Sequence, residues 1–475
     1  MGSPGLRDAD GWLPRERRFP TGDLAGQIDL LLYSGGGESR LPGVPRHDLT
    51  SAESEIWFSS TSISRPGRHA RAAILESLAG LSGALGDPAP VSLWFNALRA
   101  RIANALGAPS ATVLLAPSLA EGRALAHFVA ATTLGRAVVE MVPSPEESDD
   151  DALSLPNWAR ETIALRGADG TPLDPLDIDA HARSLASDLL NDGQALLLHA
   201  LDVSRTGLAG VSRAAARRIV DAAPERVLTL LDAGELRTPP ERLAADLAEG
   251  MMVLASGSRF MGGPAHCAAL LLPPAIARAL EAAPSRFAAD ISPARFDLPA
   301  GLRHVFGGGF DTRMNVGLGL RWAGALAEFE RYNAIPQDIR DRVLDAFSRR
   351  ARAMAARLDF LDLEPRRGHA DDFLRGGVVS LHPVDPGGGR MGYIGASALR
   401  AALGLPRPGV AGDAVCHIGA PVPTAAGAIL PLSISAPLIC DVAGRLARGV
   451  AFDRAMAPVW RDLSTLFTKW ETLAG

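Results

Sequence analysis

The feature that most constrains this chain is a series of short, continuously apolar segments set between helix-length amphipathic ones. From about residue 71, HARAAILESLAGLSGAL and VSLWFNALRARIANALG have helical spacing and lead into a β-rich run, TVLLA, at 112–116. PSLAEGRALAHFVAATTLG follows as a helix, and then AVVEMV, ALLLHA, VLTLL, MMVLAS and AALLLP read as strands. Further helices are predicted at 177–192, 212–223 and 239–250, with a polar loop at 143–156. Strands without polar alternation are buried on both faces, and strands separated by helices pair mostly in parallel. The expected fold class is therefore α/β, a mostly parallel sheet covered by helices on both faces. Such sheets bind ligands beyond the carboxyl ends of their strands, so the residues after each strand carry the functional reading.

A chain of 475 residues exceeds what one core usually covers. Residues 1–70 are rich in Gly, Pro and Ser and read as an irregular N-terminal arm, in which Gly35, Gly36 and Gly37 could cradle an anion. Residues 71–318 form the expected large domain. The pattern breaks near FGGGF, and 319–475 read as a long linking helix, roughly Gly319 to Leu358, followed by a smaller C-terminal α+β domain.

Composition removes several function classes. The formal net charge is −5 with no basic stripe, so no nucleic-acid partner is expected. No apolar run is long enough to cross a bilayer and the N-terminus lacks a signal-peptide core, so no membrane and a cytoplasmic setting are expected. Cys267, Cys416 and Cys440 are far apart, which argues against disulfides and zinc. HADD at 369–372 and the Cys416–His417 pair lack metal-ligand spacing, and no Walker loop or GxSxG elbow is present.

Three strand ends carry polar residues. Ser118 and Glu121 form an S-x-x-E capping box at the start of a helix, a position that also suits a phosphate because free N–H groups point outward. Asp232 ends the strand VLTLL, where it could cap the next turn or hold a heteroaromatic N–H⁺. Ser256, Ser258 and Arg259 follow the strand MMVLAS, and Gly262 and Gly263 allow a tight turn before the next strand.

This order resembles the class V aminotransferase branch of fold-type I pyridoxal-phosphate enzymes. In that family an Asp at a strand end pairs with the pyridine nitrogen, and the next strand leads into a Ser-x-x-Lys-Phe-type segment with Gly-Gly-Pro after it. Here VLTLLDAGELR is followed by MMVLASGSRFMGGP. LLHALDVSRTGLAG resembles the family's strand and Ser/Thr-Gly turn, which carries Ser204, and LLAPSLAEGRAL its phosphate-cup helix. The resemblance covers most of residues 70–440. It implies a mostly parallel seven-stranded sheet of the aspartate-aminotransferase fold, a small-molecule substrate of amino-acid type, a homodimer, and pyridoxal or pyridoxamine phosphate as cofactor. The cofactor site it implies is Ser118, Leu119, Ala120, Glu121, Ser204, Asp232, Glu235, Ser256, Ser258 and Arg259.

The departures are as informative as the match. Of 48 Lys and Arg residues only Lys469 is lysine, and Arg259 stands where the family has its Schiff-base lysine. Leu119 and Ala120 replace the cup's usual Gly and Thr, and AILPLSIS has no Arg for a substrate carboxylate. A Schiff base needs a neutral amine; lysine's pKa is about 10.4 and arginine's about 12.5–13.8, so Arg259 cannot serve. It can bind phosphate or carboxylate in a bidentate manner. Lys469 lies in a terminal amphipathic helix and reads as solvent-facing. Three outcomes are open: non-covalent cofactor binding with His199 or His266 moving protons, a catalytically inactive relative that binds a ligand or completes a heterodimer, or a lost cofactor site with unrelated chemistry.

Overall fold

The computed structural model describes residues 55–62, 64, 66–84, 87–148, 158–285, 296–307, 314–365, 377–407, 410 and 413–474. Gly35–Gly37 and the HADD segment lie outside the described residues. The strands are β1 Ile56–Phe58, β2 Thr112–Ala116, β3 Val138–Pro143, β4 Arg160–Ile163, β5 Ala195–Leu201, β6 Val227–Ala233, β7 Met252–Ser256, β8 Ala268–Leu272, β9 Leu361–Leu363, β10 Val378–Pro383, β11 Cys416–Ile418, β12 Val422–Thr424 and β13 Gly427–Ser433. The helices are α1 Arg68–Leu81, α2 Pro88–Ala105, α3 Leu119–Thr133, α4 Pro145–Ser148, α5 Pro175–Asn191, α6 Arg213–Ala222, α7 Pro240–Ala248, α8 Pro274–Glu281, α9 Val316–Asn333, α10 Gln337–Ala355, α11 Tyr393–Leu403, α12 Ala436–Ala447 and α13 Phe452–Ala474.

The expected sheet is present, with seven strands in the order β2-β8-β7-β6-β5-β3-β4. β8 runs antiparallel to both of its neighbours and the other pairs are parallel. Every residue of β3, β5, β7 and β8 is buried, as their apolar runs require, with Glu140, His199 and Ser256 as buried polar exceptions. One face packs on α3 and α8 through Leu125, Val129, Leu197, Leu254 and Ile276. The other packs on α5 and α6 through Leu196, Leu198, Ile178 and Ile219. A four-stranded antiparallel sheet, β12-β13-β10-β9, forms the second layer system near the C-terminus.

Several expectations needed correction. The segment read as one linking helix is two, α9 and α10, because Pro336 lacks an N–H and its ring cannot continue the first. The polar run RETI forms an edge strand, β4, whose exposed middle residues carry no apolar signal. The end of the N-terminal arm is not wholly irregular, since β1 pairs in parallel with β11. Lys469 is not solvent-facing. It is 2% exposed, donates to the carbonyls of Leu405 and Ala414, and pairs with Asp413 at 3.1 Å.

One buried ion network fixes the loops after β5 and β6. Arg213, the first residue of α6, donates through Nε to Asp246 at 2.9 Å and through Nη2 to Asp202 at 3.1 Å. Asp202 directly follows β5, accepts from Thr238, and bonds through its N–H to the carbonyl of Asp232. Arg213→Met would take from Asp202 and Asp246 the guanidinium that bridges them, leaving Asp246 with only Arg242 at 3.7 Å, and breaking a buried pair costs roughly 3–5 kcal/mol. An unfolding free energy from urea denaturation within about 1 kcal/mol of wild type would show that the bridge does not stabilise the fold.

Candidate functional site

The carboxyl ends of β5, β6 and β7 converge with α3, α4 and the N-terminal segment. Asp232 is the penultimate residue of β6 and is 3% exposed. Its Oδ1 accepts from the N–H of Gly234 at 3.0 Å. Its Oδ2 accepts from Arg123 twice, from Nη2 at 2.5 Å and Nε at 3.2 Å. Arg123 Nη2 also donates to the carbonyl of Ser148 at 2.5 Å. Sequence reasoning missed Arg123, although a signal existed. It falls at helical spacing with Leu119, Ala126 and Ala130 on the buried side of α3, and an arginine on such a stripe needs a buried acid.

Arg259 does lie beside the turn that follows Asp232. Its Nη1 meets Glu235 Oε1 at 3.4 Å, and Glu235 Oε2 meets Arg237 Nη2 at 3.4 Å. Arg237 stacks over the Phe260 ring at 4.1 Å and donates to Ser60. The turn is strained. Leu236, between Glu235 and Arg237, has φ 50°, a left-handed conformation that is uncommon for a branched residue. That kink lets neighbouring side chains of opposite charge reach the same cation-rich corner.

The remaining implied cofactor residues are largely engaged with one another. Ser118 caps the helix by accepting from the N–H of Glu121 at 3.2 Å, and its hydroxyl donates to the Glu121 carboxylate at 2.9 Å. Leu119 crowds the Asp232 turn, since a Cβ on Gly234 would lie 2.7 Å from Leu119 Cδ1. Ala120 offers no hydroxyl. Ser256 and Ser258 share a hydrogen bond at 2.9 Å, and Ser256 also donates to the carbonyl of Cys267. Gly262 takes φ 70° in the turn expected there.

Ser204 belongs to a second ion network that the sequence did not reveal. It donates to Glu147 at 2.7 Å, and Thr206 does likewise at 2.7 Å. Arg166 donates through Nε to Glu147 at 2.7 Å and clasps Glu364 with both terminal nitrogens at 2.5 and 3.2 Å. Glu364 follows β9 and Ser380 on β10 donates to the carbonyl of Thr206, so this clasp ties the C-terminal sheet to the large one. Their partners lie far apart along the chain, where sequence spacing carries no pairing information.

His199 is drawn elsewhere. It lies inside β5, 2% exposed, with Nε2 3.9 Å from Glu140. Glu140 is also held by His127 at 3.0 Å and Arg160 at 2.9 Å, and His127 stacks flat on Trp158 at 3.6 Å. Burial alone would raise the Glu140 pKa, but the His127 hydrogen bond and the charges of His199, His127 and Arg160 hold it below 4.5. His199 thus belongs to a polar cluster beneath α3. His266 takes φ 62° in the turn before β8.

No protein-family model matches the sequence, and no curated protein does. Solved structures match in fold. The cysteine desulfurase CsdA (S-sulfonic acid) from Escherichia coli is 14% identical, covers 89% of this chain and 96% of its own, and superposes with a TM-score of 0.55. The 4-hydroxyphenylacetaldehyde synthase of Rhodiola rosea is 14% identical over 98% of this chain and 91% of its own, with a TM-score of 0.54. TDC of Oryza sativa with PLP is 14% identical over 98% and 92%, with a TM-score of 0.53. The fold is that of fold-type I pyridoxal-phosphate enzymes.

The residues present do not fit that cofactor in this arrangement. The carboxylate that would hold a pyridinium already holds Arg123, and Leu119 packs over the same turn. Arg259, expected from the sequence at the lysine position, presents a guanidinium that faces Glu235. What the site can do chemically is present fixed positive charge and ordered hydrogen-bond donors.

The clasp has a pH signature. Burial would raise the Glu364 pKa, but hydrogen bonds and charge from His382 and Arg166 set it below 4.5. An acid whose folded pKa is depressed adds stability above its unfolded pKa and loses it as pH falls through the folded one. Between about pH 5 and about pH 3 the wild-type urea midpoint should therefore fall further than that of Glu364→Gln. Equal slopes would show that the clasp does not couple to protonation.

Proposed function

We propose that this chain is a relative, in fold, of pyridoxal-phosphate enzymes that works without lysine-aldimine chemistry, and that its role is to bind a small anionic molecule of amino-acid type. The observation that carries the reading is the buried pair between Arg123 and Asp232. A guanidinium with two bonds to one carboxylate oxygen satisfies the acid that a pyridinium would otherwise need. Displacing it would break a buried ion pair, a penalty of roughly 3–5 kcal/mol before any cofactor contact is gained. Arg259 supports the same reading, because a guanidinium stays protonated and cannot act as a nucleophilic amine.

The two departures are separable by mutation. Titration of wild type with pyridoxal phosphate should give no saturable change in the cofactor's absorbance and no borohydride-stable adduct. Arg259→Lys alone should behave the same way, because Arg123 still occupies Asp232. Arg123→Ala combined with Arg259→Lys frees the acid and restores an amine, and should give a borohydride-stable adduct at position 259. Saturable binding by wild type that Asp232→Asn abolishes would overturn the reading in favour of non-covalent cofactor binding, and the same titration with pyridoxamine phosphate covers the aminated form.

A further inference from the structure

Helix α11 is apolar on two opposite faces. Ala396, Leu399 and Leu403 are buried in one core with Cys416, Ile418 and Leu430. The other face presents Ile394, Ala398 and Ala401 to the surface at helical spacing, and the exposed Leu405 continues that line. Ile394 is 85% exposed and Leu405 56%. Six large hydrophobic side chains are exposed among the described residues, and four of them, Tyr393, Ile394, Leu405 and Val410, fall in this one stretch. Across 391–406 the only charge is Arg400, whose Nε donates to the carbonyl of Ile418 at 3.2 Å. A helix with apolar residues all round belongs beneath other structure, and a concentrated apolar patch marks a contact surface.

The chain that precedes β1 joins the described structure beside this face. The N–H of Ile56 donates to the carbonyl of Val415 at 2.9 Å. Lys469 Nζ holds the adjacent carbonyl of Ala414 at 2.5 Å and that of Leu405 at 2.6 Å, so Leu405 lies where residue 55 leads outward. Glu55 Oε2 is 3.2 Å from His417 Nε2, and a Cβ on Gly404 would lie 3.8 Å from His417 Nδ1. Residues 1–54 are thus tethered at the Leu405 end of the stripe. Their longest apolar run is 30–33, within DLAGQIDLLLY, where Leu24, Ile28 and Leu31 recur at helical spacing. The 21 residues from 34 to 54 can span up to about 70 Å, and α11 is only about 16 Å long.

We propose that the segment 24–32 of the same chain docks as an amphipathic helix on the outer face of α11, with Leu24, Ile28 and Leu31 set against Ile394, Ala398, Ala401 and Leu405. The small residues Ala398 and Ala401 let the two helices approach closely between the larger side chains at either end.

Two measurements on the full chain test it. Brief chymotrypsin digestion should cut wild type slowly at 30–33, and Ile394→Asp should speed that cleavage several-fold while cleavage at Trp12 and Phe19 stays unchanged. Ile394 is exposed, so the substitution leaves the core intact. The second measurement is a disulfide. Cys267, Cys416 and Cys440 are buried, so an added pair oxidises without them. Ala398→Cys combined in turn with Leu24→Cys, Ile28→Cys or Leu31→Cys should give a disulfide within one chain for at least one pair, and faster than with Asp29→Cys, which lies off the stripe. Equal cleavage of wild type and Ile394→Asp at 30–33 would overturn the proposal. So would the lack of any disulfide faster than the Asp29→Cys control. A disulfide that joins two chains would overturn it as well, and would assign the face to a second copy. Neither measurement involves Arg123 or Arg259, so the cofactor titration stands or falls separately.

Discussion

The structure around the strand ends depends on one buried ion pair, Arg123 with Asp232. Asp232 ends a central strand of the sheet, and its backbone fixes the neighbouring Asp202 loop. Its side chain receives the guanidinium of a helix that packs across the sheet, so helix, sheet and the carbonyl of Ser148 are joined through one residue. A charge in such a place must be paired, because water cannot reach it to compensate. Once Arg123 supplies the pairing, a strand-end acid that could serve a ligand becomes part of the protein's own interior.

The same solution recurs nearby. Glu235 is shared by Arg237 and Arg259, Glu147 faces Arg166, and Glu364 closes the far side of Arg166. Arginine suits these roles because its fork reaches two acceptors at once while staying charged. A compositional bias toward arginine thus has a structural consequence, since side chains that a lysine would reach as a point charge are instead bridged between elements. The Arg166 clasp joins the two sheets in this way.

Much of the architecture was legible in the sequence. The strands ALLLHA and VLTLL and the capped helix after Ser118 appear where the apolar runs and the capping box put them, since burial on both faces and satisfaction of helix-end N–H groups act locally. β1 and β4 were not legible. A three-residue strand carries too little pattern, and a polar edge strand has no apolar face to report it. Asp232, Glu235 and Arg259 were singled out together, and the structure does bring them to one turn. Arg123, Glu147, Arg166 and Glu364 were missed because their partners are far along the chain and no spacing rule links them.

By itself, then, the sequence determined the layered α/β fold, the positions of the strand ends, and that Lys469 is the chain's single lysine. Those follow from hydrophobic period, capping and side-chain identity, which are properties of a residue and its neighbours. Only the tertiary structure decided what the polar residues at those ends are bonded to. It turned Lys469 inward onto Asp413, drew His199 toward Glu140, and placed Arg123 on Asp232. Charge pairing in a desolvated interior is settled by which groups the packing brings within hydrogen-bond reach, and that distance exists only after the chain has folded.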